Sequence, residues 1–308
     1  MIDDKYLKQV HLLLRIIPSI AKENCFAVHG GTAINLFIRN MPRLSVDIDL
    51  TYLPIENRAN SLLHIKEALS RIRSNLNKTI QGVQIAQMDE GKEPKLFCSL
   101  KGSQIKVEVN TVIRGSISKP AVLPLNVDAQ TYFNQFCEVA IVPIDQLYGG
   151  KICAALNRQH PRDLFDIKYL LESNQPLEKF KRGFIFCLLS SDRPIHETLH
   201  PHMINQQNAL ENQFRGMSKL SFSYNDYEKT RQTLIQSING MLSDDDRLFL
   251  LDFKKGIPQW ENSEYKYFAD FPSVKWKMEN ILRLIKDNPA KHKEELEQLK
   301  LVLFKFKA

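Results

Sequence analysis

Asp47 and Asp49, in the stretch HGGTAINLFIRNMPRLSVDIDLTY (29–52), are two residues apart, a spacing that can do chemistry. On a strand, positions i and i+2 point to the same face, about 6–7 Å apart at a rise of about 3.3 Å per residue. Two negative charges held so close repel each other. A divalent cation removes that cost, and Mg²⁺ typically takes one or two protein carboxylates and completes its shell with phosphate oxygens and water. Just upstream, Gly30 and Gly31 let the backbone approach phosphates, the N-terminus of the following helix presents free amides, and Thr32 adds a hydroxyl. Together these parts suit a nucleoside triphosphate and its metal. A plainer reading fits the same residues: the wet face of an edge strand after a glycine turn.

Further charged residues bear on the choice. In IKVEVN (105–110), Glu108 alternates with Val107 and Val109 on a strand that could lie beside the first, where a third carboxylate would stand; taken singly, it is also an ordinary solvated strand residue. In GGKICAALNRQHPRDLFDIKYLL (149–171), Lys151 and Arg158 are two turns apart on roughly one helix face. Arg162, Asp163 and Asp166 open the next helix. There an acidic residue also complements the helix dipole, a second possible role for Asp163. Asp166, among Leu164, Phe165, Ile167 and Leu170, is expected to face inward and to need a cation such as Lys151 or Arg158.

These residues need positioning elements. YLKQVHLLLRIIPSIAK (6–22) has the spacing of a mostly apolar helix kinked at Pro18, CFAVHG that of a short buried strand, and GTAINLFIRN that of a helix after the glycines. SVDIDLTYL alternates with period 2, Val46, Ile48 and Leu50 on one side and Asp47, Asp49 and Thr51 on the other. A polar helix is expected over about 58–78, then strands at VQIAQM, KLFCSLK and QIKVEVNTVI, the last two joined at Gly102-Ser103. Beyond Pro143 strand signals stop. Helical spacing marks 144–159, 162–173 and segments near 176–190, 203–213, 225–240, 244–254 and 272–306. The expected fold class is therefore α/β (α+β), a mixed sheet with flanking helices over 1–143 followed by an all-α half over 144–308.

Composition sets outer bounds. With 43% apolar and 25% charged residues, 12 Gly and 14 Pro, the chain can bury a large core and has no collagenous or disordered bias. No apolar run reaches the length of a membrane span, and MIDDKYLKQ lacks the pattern of a signal peptide. Five scattered cysteines (Cys25, Cys98, Cys137, Cys153, Cys187) without a CxxC pair fit reduced thiols in the cytoplasm. The net charge of +7 favours an anionic partner such as nucleotide or RNA.

GGTAINLF, the R-x-S-x-D-I-D run from Arg43 to Asp49, and K-x(6)-R-x(3)-R-D-x-x-D from Lys151 to Asp166 resemble the signature of the AbiEii-type nucleotidyltransferase toxins, within the polymerase-β-like superfamily. The resemblance continues through RPIHETLHP, FRGMSKLSFSY, RLFLLDF and FPSVKWKMENILRL. It implies a bacterial toxin of a toxin-antitoxin or abortive-infection system that uses Mg²⁺ (or Mn²⁺) and a nucleoside triphosphate to modify RNA, including tRNA, with a cognate antitoxin as partner. By position, Asp47 and Asp49 match metal ligands with Glu108 as the third. Gly30, Gly31, Thr32, Arg43 and Ser45 fall in the nucleotide-binding motif, Lys151 and Arg158 are the expected phosphate cations, and Asp163 and Asp166 form the later acidic motif. The implied chemistry is two-metal transfer with release of pyrophosphate. One departure is a segment between Thr32 and Asp47 longer than is usual in the superfamily.

Rival readings are a catalytically inactive nucleotide-binding module acting through a partner, against which the intact Asp47, Asp49 and Lys151 argue, and a zinc peptidase at HETLH (196–200). The peptidase motif needs both histidines on one face of a sustained helix, yet Pro201 follows His200 and Pro194 closely precedes His196. SDDD (243–246) has the pattern of a helix start rather than a metal site. The lysines of the last helices form a solvated face over an apolar stripe, part of which could contact RNA.

Overall fold

Alternating apolar residues before Pro143 build a single mixed sheet in the computed structural model, which describes residues 2–88, 94–173 and 175–304. The chain divides into two compact units, Met1–Pro143 with Phe214–Ser221, and Ile144–Gln213 with Phe222–Ala308. A single cut at 143 therefore misassigns Phe214–Ser221. Hydrogen bonds give the reason: Leu44 N–H donates to Met217 O (2.7 Å), Ser218 Oγ to Pro42 O (2.8 Å) and Asp3 N–H to Gly216 O (3.0 Å).

In the first unit the strands are β1 (Phe26–His29), β2 (Asp47–Tyr52), β3 (Gln84–Met88), β4 (Lys95–Leu100), β5 (Ser103–Asn110), β6 (Ala121–Pro124) and β7 (Glu138–Ile141), in the order β3-β4-β5-β2-β1-β7-β6. β2 runs antiparallel to β1 and parallel to β5. Because side chains alternate along each strand, Val28, Ile48, Leu50, Val107 and Val109 share one face and are fully buried. Helix α1 (Asp4–Ile20), which includes Pro18, packs on β5 and β7, and α2 (Arg58–Thr79) packs on β3 and β4. Both bury apolar stripes, Val10, Leu13 and Ile17 in one and Ile65, Leu69, Ile72 and Leu76 in the other. The β4–β5 turn is Lys101-Gly102, both left-handed with φ 49° and 81°, one residue earlier than expected.

The segment after the glycines is not one regular helix. Gly30–Thr32 forms a single turn, and Ala33–Ile38 is a π-helix that ends with Arg39 N–H donating to Ile34 O at 2.8 Å. Asn126 explains how the wide turn is satisfied: its Nδ2 donates to the carbonyls of Asn35, Leu36 and Arg39 (3.1, 2.8 and 2.7 Å). Its Oδ1 meanwhile caps helix α3 (Val127–Phe133) by accepting from Ala129 N–H.

The second unit is helical: α4 (Ile144–Arg158), α5 (Pro161–Leu171), α6 (Lys181–Ser190), α7 (Ile195–Leu199), α8 (Tyr224–Met241), α9 (Asp244–Lys254), α10 (Pro272–Asp287) and α11 (Pro289–Phe304) are its main elements. The stretch 272–306 breaks at Asn288 because Pro289 cannot continue a helix; residues 305 and 306 lie outside the described residues. The 203–213 reading shrinks to a turn at Gln207–Ala209 and a π-turn to Phe214. α4 and α6 cross with backbones in contact, since a Cβ on Gly149 would lie 2.4 Å from Phe184 N. All five cysteines are free thiols, and burial pushes Cys98 and Cys137 up to about 12. Among the described residues no helix is long and apolar enough to cross a membrane.

Candidate active site

With its apolar face sealed, the sheet presents polar residues on the other. In register across β1, β2, β5 and β4 stand His29, Asp49, Glu108 and Lys95, and one step along β2 and β5 Asp47 pairs with Lys106. Neighbouring strands are about 4.8 Å apart, so these side chains form one half-buried charged surface. His29 Nδ1 lies 3.0 Å from Thr51 Oγ1 on the same face. The alternation that hides Ile48 and Leu50 therefore brings Asp47 and Asp49 together on the accessible side.

The glycine turn is built around these aspartates. Gly30 has φ 73°, a left-handed conformation that favours glycine, and a Cβ there would sit 2.5 Å from Asp49 Oδ2. On Gly31 a Cβ would lie 2.7 Å from Arg43 Nη2 and 2.9 Å from Ser45 Oγ. Both glycines are thus needed for close approach. Thr32 is fully buried, its hydroxyl 3.1 Å from Ser45 Oγ and donating to Asp47 O at 2.5 Å. Asn35 Nδ2 donates back to Gly31 O (3.0 Å).

This geometry changes the expected roles of three residues. Thr32, Arg43 and Ser45 are 0, 3 and 6% exposed, so they brace the turn from below rather than offer their polar ends to a nucleotide. Arg43 Nη1 donates to Leu44 O at 2.9 Å, part of that bracing. What remains near the surface is the glycine backbone with Asp47 and Asp49.

Glu108 stands in register with Asp49, as a third carboxylate should, but its oxygens are engaged: Oε1 accepts from Lys95 (3.1 Å) and Oε2 from Lys106 (2.5 Å). For Lys106, burial pulls the ammonium down. The Glu108 hydrogen bond and the charges of Glu108, Asp47 and Asp49 outweigh it, leaving the pKa raised. Among the described residues no three His, Cys, Asp or Glu side chains gather as a metal-holding cluster. Two hard carboxylate oxygens on one strand face still match the donor set Mg²⁺ takes from proteins.

In the second unit, Lys151 departs from expectation. Its side chain is 5% exposed, with Nζ 2.8 Å from Asp163 Oδ1 and 3.0 Å from Asp166 Oδ2, so it is not an open phosphate ligand. Asp166, with a fully buried side chain, does face inward and finds its cation in Lys151. Asp163 lies in the first turn of α5 and also accepts from Arg158 (2.8 Å), whose side chain is 67% exposed. The cap of α5 is His160, whose Nδ1 accepts from Arg162 N–H (3.1 Å).

The zinc-peptidase alternative fails on backbone geometry. α7 is five residues long, and His200 lies beyond it at φ −135°, ψ 73°, so the two histidines do not share a helix face. Ser243 and Asp246 form a capping box, as expected of a helix start.

A mixed sheet followed in the chain by a helical unit is the fold of nucleotidyltransferase toxins. The chain superposes on MenT4, a nucleotidyltransferase toxin from Mycobacterium tuberculosis, with a TM-score of 0.60 at 11% identity, over 91% of this chain and 93% of that one. The nucleotidyl transferase AbiEii toxin family, of type IV toxin-antitoxin systems, matches residues 11–280, and the chain belongs to it. No curated protein matches it in sequence.

Proposed function

We propose that the chain is an Mg²⁺-dependent enzyme transferring a nucleotide from a nucleoside triphosphate to an RNA acceptor, tRNA among the candidates, and that a cognate antitoxin counters it in the bacterial cytoplasm. The observation that carries this reading is Asp49 seated against Gly30, with Asp47 beside it on the strand face. Asp47 and Asp49 would hold the metal, which when bound lowers the pKa of an attacking hydroxyl and offsets charge on the phosphates. The Gly30-Gly31 backbone lies close enough to guide a phosphate toward that pair. Thr32, Arg43 and Ser45 keep the turn from shifting, which matters because transfer depends on geometry held to fractions of an ångström.

In the second unit Lys151 fixes Asp163 and Asp166, and Asp163 steadies Arg158, whose exposed guanidinium can meet a phosphate. The test is incubation of the purified chain with each labelled triphosphate, Mg²⁺ and total cellular RNA. Label entering RNA with the wild type and not with Asp49→Asn is expected. Label entering no RNA under any triphosphate, or entering it equally with Asp49→Asn, contradicts the reading.

A further inference from the structure

The strand face that carries Asp47 and Asp49 also carries two ammonium groups, and their placement is specific. Lys106 is the in-register neighbour of Asp47, and Lys95 is the in-register neighbour of Glu108. Glu108 joins the two lysines, one to each carboxylate oxygen, at 3.1 and 2.5 Å. Its side chain is 17% exposed and that of Lys106 33%, so water screens this pair incompletely.

We propose that Glu108 acts as the positioning residue that fixes Lys106 as a built-in counter-charge beside Asp47, so that without nucleotide the strand face takes one divalent cation, held by Asp47 and Asp49. This rests on the metal-binding role given to those two aspartates above.

Charge counting supports it. Asp47, Asp49 and Glu108 contribute three negative charges and Lys95 and Lys106 two positive, a net of −1, which one divalent cation already overturns. A second protein-held cation would have to displace a lysine from Glu108 and sit against an ammonium group. Lys106 thus stands where a second cation would otherwise neutralise the carboxylates, and it stays there when no nucleotide is present.

The test is Mn²⁺ binding to the full chain without nucleotide, read from the free-ion signal in electron paramagnetic resonance. The wild type is expected to bind one Mn²⁺. Lys106→Met should bind it about tenfold more tightly or admit a second ion, because a positive charge has left the face. Glu108→Gln should weaken binding by removing a negative charge. The double variant Lys106→Met/Glu108→Gln, which restores the charge balance, should return to within about threefold of wild type. If Glu108 is itself a ligand, the double variant stays as weak as Glu108→Gln, and the proposal is wrong. Lys106→Met binding no more tightly than wild type overturns it too, and this single variant decides the matter if Glu108→Gln fails to fold. A different result separates the parent reading: a wild type that binds no Mn²⁺, or Asp49→Asn that binds it normally, removes the metal role of the aspartates themselves.

Discussion

Two of the molecule's clusters of acids and bases are built on opposite principles. On the sheet, Asp47 and Asp49 share a half-buried face with each other and with Glu108, and their nearest in-register cation is a single lysine. In the helical unit, Asp163 and Asp166 are sealed around Lys151, with Arg158 completing the balance. A sealed cluster must be internally paired, because an uncompensated buried charge is expensive. An accessible cluster can remain short of positive charge and be completed by something arriving from solution. Removing a charge from the sealed kind is therefore costly, whereas removing one from the accessible kind relieves repulsion.

Substitutions can break this contrast, the largest effect coming first. Lys151→Ala leaves buried Asp166 without its cation and Asp163 with Arg158 alone, and should cost about 4 kcal/mol, lowering the melting temperature by roughly 10 °C. A variant that melts like wild type would place Lys151 with the accessible cluster. Asp49→Asn should do the opposite: transfer falls at least about a hundredfold, about 2.7 kcal/mol in barrier, while the melting temperature without Mg²⁺ is unchanged or higher because like-charge repulsion is gone. A large drop in melting temperature would make Asp49 a structural residue.

Gly30→Ala sharpens the comparison within the first unit. It should lose about 2 kcal/mol, from a left-handed backbone and from contact with Asp49. Gly102→Ala is the control, at φ 81° with nothing within 4 Å of its Cβ, and should lose only about 1 kcal/mol. Equal losses in thermal melts would show that Asp49 does not press on Gly30.

The smallest effect concerns pH at the cap of α5. Burial, the largest influence, lowers the His160 pKa below its usual 6.5, and the neutral ring is the one that accepts from Arg162 N–H. With the folded pKa below the unfolded one, the unfolded chain binds more protons between the two values. Stability from this group is full above about pH 6.5 and declines as pH falls toward the folded pKa. His160→Asn keeps a capping acceptor and should remove about 1 kcal/mol or less of that decline, measured as melting temperature from pH 7.5 to 5.5. An unchanged pH profile would exclude His160 as its source.

The alternation of SVDIDLTYL already places Asp47 and Asp49 on one face, since a period of 2 needs no tertiary information. The inward aspect of Asp166 follows similarly from its apolar neighbours. The seat of Asp49 against Gly30 depends on β1 pairing with β2, a contact between residues far apart in the chain that spacing cannot reveal. The pairing of Lys151 with Asp166 is legible in the same way, whereas its burial depends on α5 folding back on α4, which the open phosphate role implied by the family resemblance does not anticipate. β6, α3 and β7 carry no such signal: β6 has Val122 64% exposed and ends at Pro124, which leaves no clean alternation. The π-helix rests on Asn126, whose amide gave no sign in sequence that it serves carbonyls of residues 35–39.

The segment Phe214–Ser221 gives the sheet unit a particular birth order. Ribosomes add about 5–20 residues per second, and domains generally fold as they emerge. This unit is incomplete when Pro143 leaves the exit tunnel, because Leu44 and Pro42 await Met217 and Ser218, which are made only after residues 144–213. A nascent chain therefore carries an unfinished sheet unit through most of its synthesis, and a toxin interrupted in translation before Ser221 is left without the strap that ties down Pro42 and Leu44.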